Sequence, residues 1–419
     1  KVIGVRDPTN ISHLGFSVIL VSLGFVAWVF WKKDFRSFQP ERVAVSVFLF
    51  YGIVLFPFFS QNWWSIIGKW TLWTPGDDWT SYQDFAHRIF VGSDWNFYGG
   101  VLHKIVVGNS FLNAGEGVFW MQPLYRYFVG FYHWLFGQSA FAQHMADVWC
   151  VLGGATLIAS LISRFRLAGG IAFLASTVYI IINLVGAFRY HIGRGLVENH
   201  AMIFMMLAAW YLYRSREGGI YKIALATLFG VFGYWMRQDH LGAIAGVAFL
   251  ALEPVGGLTG GWNGYWERFK VNWQRIAIYW GVGISSVLLV CYRNWYLGGA
   301  FYPAGLDHPN FINKTFERGK FYLILTGNEW PTFPSISGII VSLGVFMALL
   351  ALIWRPKALA NFPLSLGIIF VGLLSPYIFL WTGGYAPRFS IHILPLALVS
   401  LAVLSIYLSS LKPFFSKFK

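Results

Sequence analysis

Residues 43–60 read VAVSVFLFYGIVLFPFFS, eighteen in succession without a charge, and residues 74–90, a little further on, read TPGDDWTSYQDFAHRIF. As a helix the first stretch rises about 27 Å, close to the roughly 30 Å of a bilayer's hydrocarbon core. The second sets two adjacent carboxylates, Asp77 and Asp78, at the start of a long polar and aromatic segment. Carboxylates are costly near a membrane and usually mark function there. The pair therefore points to chemistry at a membrane surface.

Similar apolar runs recur along the chain. They cover 13–31, 43–60, 142–162, 168–188, 219–236, 276–292, 336–354, 362–381 and 389–410, with two shorter ones at 200–213 and 240–253. About eleven transmembrane helices are expected. Composition agrees: 57% of residues are hydrophobic and 11% charged, against about 25% charged in a soluble domain. The expected class is an all-α polytopic membrane protein, a single domain over 1–419 with no separate soluble domain. Aromatic residues reach 20%, with 21 Trp. Interfacial belts and helix packing use many of these, and a lipid or sugar groove is a further use.

The net charge of +14 does not call for nucleic acid, because basic loops hold a membrane protein's cytoplasmic side and meet anionic lipid. Segments 32–42, 163–168, 214–222, 254–275, 355–358 and 411–419 hold 17 of the 31 Lys and Arg. The positive-inside rule places them in the cytoplasm, with the C-terminus, and puts the N-terminus outside. Asp77, Asp78, Glu198 and Asp239 then share the outer face. The outer segment 61–141 is too long for a bare connection. An amphipathic helix is expected at 80–91, and at 119–136 an aromatic helix that lies at the interface or forms a further span. Cys150 and Cys291 sit in apolar runs, and no CxxC or Cys/His cluster suggests a metal.

Five clusters carry candidate chemistry, each with a plainer structural reading. Asp77 and Asp78 suit a general base or a cation ligand, or a cap for helix 80–91. In FRYHIGRGLVENH (188–200), Arg194 suits phosphate, or a buried ion pair with Glu198. Arg237-Gln238-Asp239-His240 interrupts an apolar stretch, as a ligand site or as a tight outer turn. In RNWYLGGAFYPAG (293–305), Tyr296 and Tyr302 offer flat faces among turn-forming glycines. In GGYAPRFSIHILP (383–395), Arg388 lies at headgroup depth, to bind phosphate or simply to snorkel. His392 and Pro395 fall inside the last expected span, and Asp147 is the acidic residue well inside a span.

Taken in order, these segments resemble the GT-C fold of polyprenyl-phosphate-sugar-dependent glycosyltransferases. The residues carrying the resemblance are Asp77-Asp78 opening the first outer loop, Pro123-Leu124-Tyr125 within it, RFR at 164–166, and Arg388 ahead of the Pro395-bearing final helix. The chain is most similar to the bacterial arabinofuranosyl- and mannosyltransferase branch, through Asp77-Asp78-Trp79-Thr80-Ser81-Tyr82, Phe85-Ala86-His87-Arg88, Arg237-Gln238-Asp239-His240 and Arg293-Asn294-Trp295-Tyr296-Leu297-Gly298. It differs in Pro303-Ala304-Gly305, where that branch carries Pro-Asn-Thr, and in Arg237-Gln238-Asp239, where it carries Arg-Pro-Asp, and the branch's large soluble C-terminal domain is not expected within 1–419.

The resemblance implies transfer of a sugar from a polyprenyl-phosphate carrier to a glycan, lipid or protein acceptor, with inversion, at the extracytoplasmic face of the cell membrane. It implies Asp77 as base with Asp78 beside it. It assigns Arg194, Arg237, His240 and Arg388 to the donor phosphate, and Trp79, Tyr125, Glu198, Asp239 and Tyr296 to sugar or acceptor. No cofactor is expected, a divalent cation being optional in such enzymes. The expected partners are the lipid donor, the acceptor and membrane lipid, with no nucleic acid. Two rivals remain at this point. A transporter or flippase predicts mid-membrane charges and inverted repeats. A non-catalytic subunit of a membrane complex predicts a stable membrane-protein partner and no turnover.

Overall fold

The computed structural model describes residues 39–55, 122–136, 140–165, 169–184, 192, 197–254, 261–298, 336–354, 362–379 and 391–415. Among these the regular structure is helical throughout. The helices are α1 (Gln39–Val54), α2 (Tyr125–Phe136), α3 (Ala140–Phe165), α4 (Gly169–Leu184), α5 (Glu198–Ser215), α6 (Ile220–Met236), α7 (Leu241–Val247), α8 (Gly261–Gly298), α9 (Ile336–Ile353), α10 (Leu364–Phe379) and α11 (Leu394–Phe415). They occupy, in whole or part, every expected apolar run from 43–60 onward, and run 13–31 lies outside the described residues. Three stretches, Ala146–Phe165, Gly261–Tyr296 and Ile336–Ile353, are long and apolar enough to cross a membrane; shorter apolar helices include Gly169–Leu184, Ile220–Met236 and Leu394–Tyr407.

Helix α3 is central, packed by α1, α2, α4, α5 and α11. A second group joins α7, α9 and α10, with α9 also against α11, while α8 lies along α6. The alternation of directions is visible in what gathers at each end. Arg164 near the end of α3 bonds both Glu41 at the start of α1 and Glu217 after α5. The Lys222 ammonium donates to the Arg214 carbonyl at 3.3 Å. Glu253 accepts the backbone N–H of Ser365 at the start of α10 at 2.9 Å, and Arg268 donates to the Leu252 carbonyl at 2.5 Å. This is the basic end of the bundle.

Burial pushes the Glu217 carboxyl up, but Arg164, Arg214 and Lys222 together pull it further down, so it lies below the ordinary carboxylate range. A carboxyl depressed by folding adds stability above its unfolded value and loses it as pH falls through the folded one. In thermal melts, wild type should exceed Glu217→Gln near neutral pH, and the gap should narrow as pH falls below the ordinary carboxylate range. A pH-independent gap would show that packing, not charge, sets it.

Helix α8 carries a record of membrane thickness. Trp262, Trp266 and Trp273 are exposed near its start, and Tyr292, Trp295 and Tyr296 near its end. Trp273 to Tyr292 is a rise of about 28 Å, near the hydrocarbon thickness that aromatic belts bracket. Arg275 lies just inside the first belt, within reach of the interface by snorkelling.

Three expectations change. The 119–136 helix begins only at Tyr125, after the turn at Pro123, and its twelve residues rise about 18 Å, too little to cross. It docks Tyr125 and Val129 on Val197, Ala201 and Met236, at the ends of α5 and α6. The run 240–253 is not one helix but a 3₁₀ turn (Gln238–His240), α7, and a second 3₁₀ turn (Ala248–Leu252). Here α7 and α10 meet backbone to backbone: a Cβ on Gly242 would lie 2.0 Å from the Gly372 carbonyl oxygen. Finally, the last helix starts at Leu394, leaving His392 in the turn before it. Pro395 explains the start, because a residue without N–H is tolerated in a first helical turn. The expected helix at 80–91 lies outside the described residues.

Candidate functional site

At the end opposite the basic one, five segments bring polar side chains into the protein interior. Glu198 is the first residue of α5 and is fully buried. Its Oε1 accepts a hydrogen bond from Nη1 of Arg237 at 2.6 Å. Arg237 follows α6 in extended conformation and is itself buried. The tight turn expected as the plainer alternative is present as the 3₁₀ turn Gln238–His240, and its Gln238 and His240 side chains are buried. Glu198 pairs with Arg237, while the anticipated Arg194–Glu198 pair falls on Arg194, outside the described residues. A charge-assisted bond this short, away from water, offsets much of the cost of dehydrating both groups.

His240 stands beside His392, with ring centroids 4.5 Å apart, and Arg237 and Glu198 lie within electrostatic reach of His392. The turn before α11 thus closes the same cluster. On its other flank is His200, two residues after Glu198 in α5. Its ring lies 5.0 Å from that of Tyr125 and 5.4 Å from that of Tyr132, both on α2. Its Nδ1 is 3.9 Å from Oδ1 of the fully buried Asp147 on α3. At that separation the contact is electrostatic rather than a hydrogen bond. Between Glu198 and His200, the buried amide of Asn199 has no hydrogen-bond partner for either atom among the described residues. Leaving a buried polar group so costs about 1–3 kcal/mol, which water or a ligand hydroxyl would offset.

Of the sequence candidates, Tyr125, Glu198, Arg237 and His240 therefore converge. Asp239 belongs to the same 3₁₀ turn by its backbone. Tyr296 is 66% exposed on the outward side of α8, its ring nearly parallel to that of Tyr292; the buried polar groups there are Arg293 and Asn294, bonded to each other at 2.9 Å. Asp77, Asp78, Trp79 and Arg388 lie outside the described residues. His392, His200, Asn199 and Asp147 join the cluster without having been singled out for it. A titratable residue inside an apolar run was the available signal, but nothing in the sequence said which helix each would face.

Among the described residues, no three His, Cys, Asp or Glu side chains gather as a metal site would require. A shallow apolar cleft opens between α6, α7 and α8, lined by Gly230, Tyr234, Leu241, Ile244, Trp280 and Gly283. Tyr234 and Leu241 border it, and they flank Arg237 and His240 in the chain. Comparison of this chain with protein-family models, with curated proteins and with solved structures finds no match.

Proposed function

We propose that this chain is a membrane glycosyltransferase of GT-C type. It moves a sugar from a polyprenyl-phosphate carrier to a glycan, lipid or protein acceptor, with inversion, on the extracytoplasmic face of the cell membrane. In this reading the chain crosses about eleven times, with its C-terminus in the cytoplasm. The observation that carries it is the buried Glu198, Arg237, His240 and His392 cluster and its depth. Trp235 Nε1 donates to Ser286 Oγ at 2.7 Å, and the Tyr234 hydroxyl lies 3.7 Å from Cys291 Sγ. The end of α6 is thereby held beside the last apolar turns of α8, just short of the Tyr292 belt. In this reading the cluster lies near the headgroup end of α8, and the apolar cleft beside it suits a hydrocarbon chain.

Arginine has five N–H donors, so Arg237 can pair with Glu198 and still hold a phosphate oxygen. His240, Arg194 and Arg388 are the other donor-phosphate residues in this reading. Tyr125 and Asn199, beside Glu198 and His200, suit sugar or acceptor hydroxyls, with Trp79 and Asp239 as further contacts; Tyr296, exposed on the outward side of α8, has no part in this reading. Asp77 takes the acceptor's proton while Asp78 orients it, and repulsion between the two carboxylates keeps one basic enough for the task.

The test is transfer by the purified chain from a panel of lipid-phosphate sugars to defined acceptors. Transfer by wild type should fall about 10²- to 10⁴-fold in Asp77→Asn. Wild-type activity in that variant removes Asp77 as base, and no turnover with any donor removes the enzyme reading.

A further inference from the structure

Asn199, the second residue of α5, is 1% exposed, and both its Nδ2 and its Oδ1 lack a hydrogen-bond partner among the described residues. Residues four apart share a helix face, so Asn199 lies one turn above Ile203. The Ile203 Cδ1 is 3.6 Å from where a Cβ on Gly153 of α3 would sit. That face of α5 therefore meets α3, and the amide is lodged inside the bundle rather than turned to lipid. Buried polar groups are nearly always paired, and an orphan requires a reason. A leucine would fill almost the same volume with nothing to satisfy. Asparagine at this place thus lowers the stability of the unliganded chain, the usual mark of a group kept for function.

The chemistry of the amide limits what can bind it. It has two N–H donors and one acceptor oxygen. An ionised phosphate only accepts, so it would meet Nδ2 and leave Oδ1 orphaned. Hydroxyl groups both donate and accept, and two neighbouring hydroxyls on one ring satisfy both ends of the amide. Glu198, next to Asn199 in the chain, is bonded to Arg237, which the reading above assigns to the donor phosphate. The ring attached to that phosphate is then the one within reach.

We propose that Asn199 is a specificity-determining residue that holds two neighbouring hydroxyls of the donor's sugar, Nδ2 donating to one oxygen and Oδ1 accepting from the other. This rests on the glycosyltransferase reading and deepens it, by naming the feature of the donor that is read. A sugar lacking either hydroxyl would leave a buried polar group unpaired again, which is the strongest rejection a binding site can offer.

The test has two readouts on the full chain in phosphatidylcholine nanodiscs. The first is thermal unfolding without ligand. Asn199→Leu should melt about 2–4 °C above wild type, because the orphan is gone. An equal or lower melting point, or failure of the variant to fold, would show that the folded chain or a bound water already satisfies the amide, and overturns the proposal. The second is calorimetric binding of decyl phosphate and of its mannosyl, glucosyl, galactosyl and arabinofuranosyl esters. At least one ester should bind wild type about tenfold more tightly than decyl phosphate, and Asn199→Leu should lose that gain while still binding decyl phosphate. One monodeoxy form of the best ester should lose the same gain in wild type and nothing further in Asn199→Leu, as coupled partners require. A gain that persists in the variant, or no gain with any ester, overturns the assignment. Sugar transfer at the wild-type rate by Asn199→Leu would sink this inference and spare the enzyme reading, whereas neither transfer nor binding of any ester would sink both.

Discussion

Glu198→Ala should destabilise the chain by about 3–5 kcal/mol, the usual cost of removing one partner of a buried ion pair. The carboxylate is fully enclosed and receives Arg237 at 2.6 Å. Without it the guanidinium loses its 2.6 Å bond while staying buried between the ends of α5 and α6. Arg237→Ala should cost a similar amount from the other side. The double variant Glu198→Leu with Arg237→Met should recover most of the loss, because well-packed apolar residues often replace a buried pair at little or no cost. Unfolding of the detergent-solubilised protein, followed by tryptophan fluorescence, gives the comparison. Single-variant losses under about 1 kcal/mol would place the pair among solvated surface bridges. For the proposed sugar transfer, a stable double variant without activity would separate a chemical role of the cluster from its structural one.

The second large effect should come from Gly242→Val and Gly372→Val. Each added Cβ would lie about 2 Å from the carbonyl oxygen of the glycine opposite, 2.0 Å at Gly242 and 2.1 Å at Gly372. The obstructing atom is backbone, so no side chain can swing aside and the α7–α10 crossing must open. Overpacking of a rigid core costs about 1–3 kcal/mol, and this site should fall at or above the top of that range. Small residues at helix contacts are what allow such approach in membrane bundles. Gly170 and Gly283 are the controls: a Cβ at Gly170 meets nothing within 4 Å, and so does one at Gly283. Monodisperse recovery after heating should collapse for the two contact variants and persist for the controls. The crossing also bears on the site, since His240 is two residues before Gly242 and reaches His392 only while α7 stays seated.

The fold was legible as far as its signals are local. A run such as 142–162 or 336–354 is apolar regardless of its neighbours, and helix is how a backbone satisfies its own polar groups in hydrocarbon. Boundaries were read less well where one residue overrides hydropathy. Pro123 delays α2 and Pro395 starts α11, so His392 moves from an expected span into a turn. The run 240–253 was misread because its glycines serve contact with α10, a partner far away in the chain.

For the candidate site, the sequence by itself determined which residues are expensive. Glu198, Arg237, His240 and Asp147 stand out because charge and imidazole do not belong in apolar surroundings without a reason. It also determined, through the distribution of Lys and Arg, that one end of the bundle is basic. Only the tertiary structure decided who meets whom: Glu198 with Arg237, His240 with His392, Asp147 with His200. Each pair joins segments far apart in the chain, and its distance depends on how the helices that carry or flank them cross. Crossings are set by packing shape, here by Gly242 against Gly372 and by Tyr125 against the ends of α5 and α6, and hydropathy does not encode that shape.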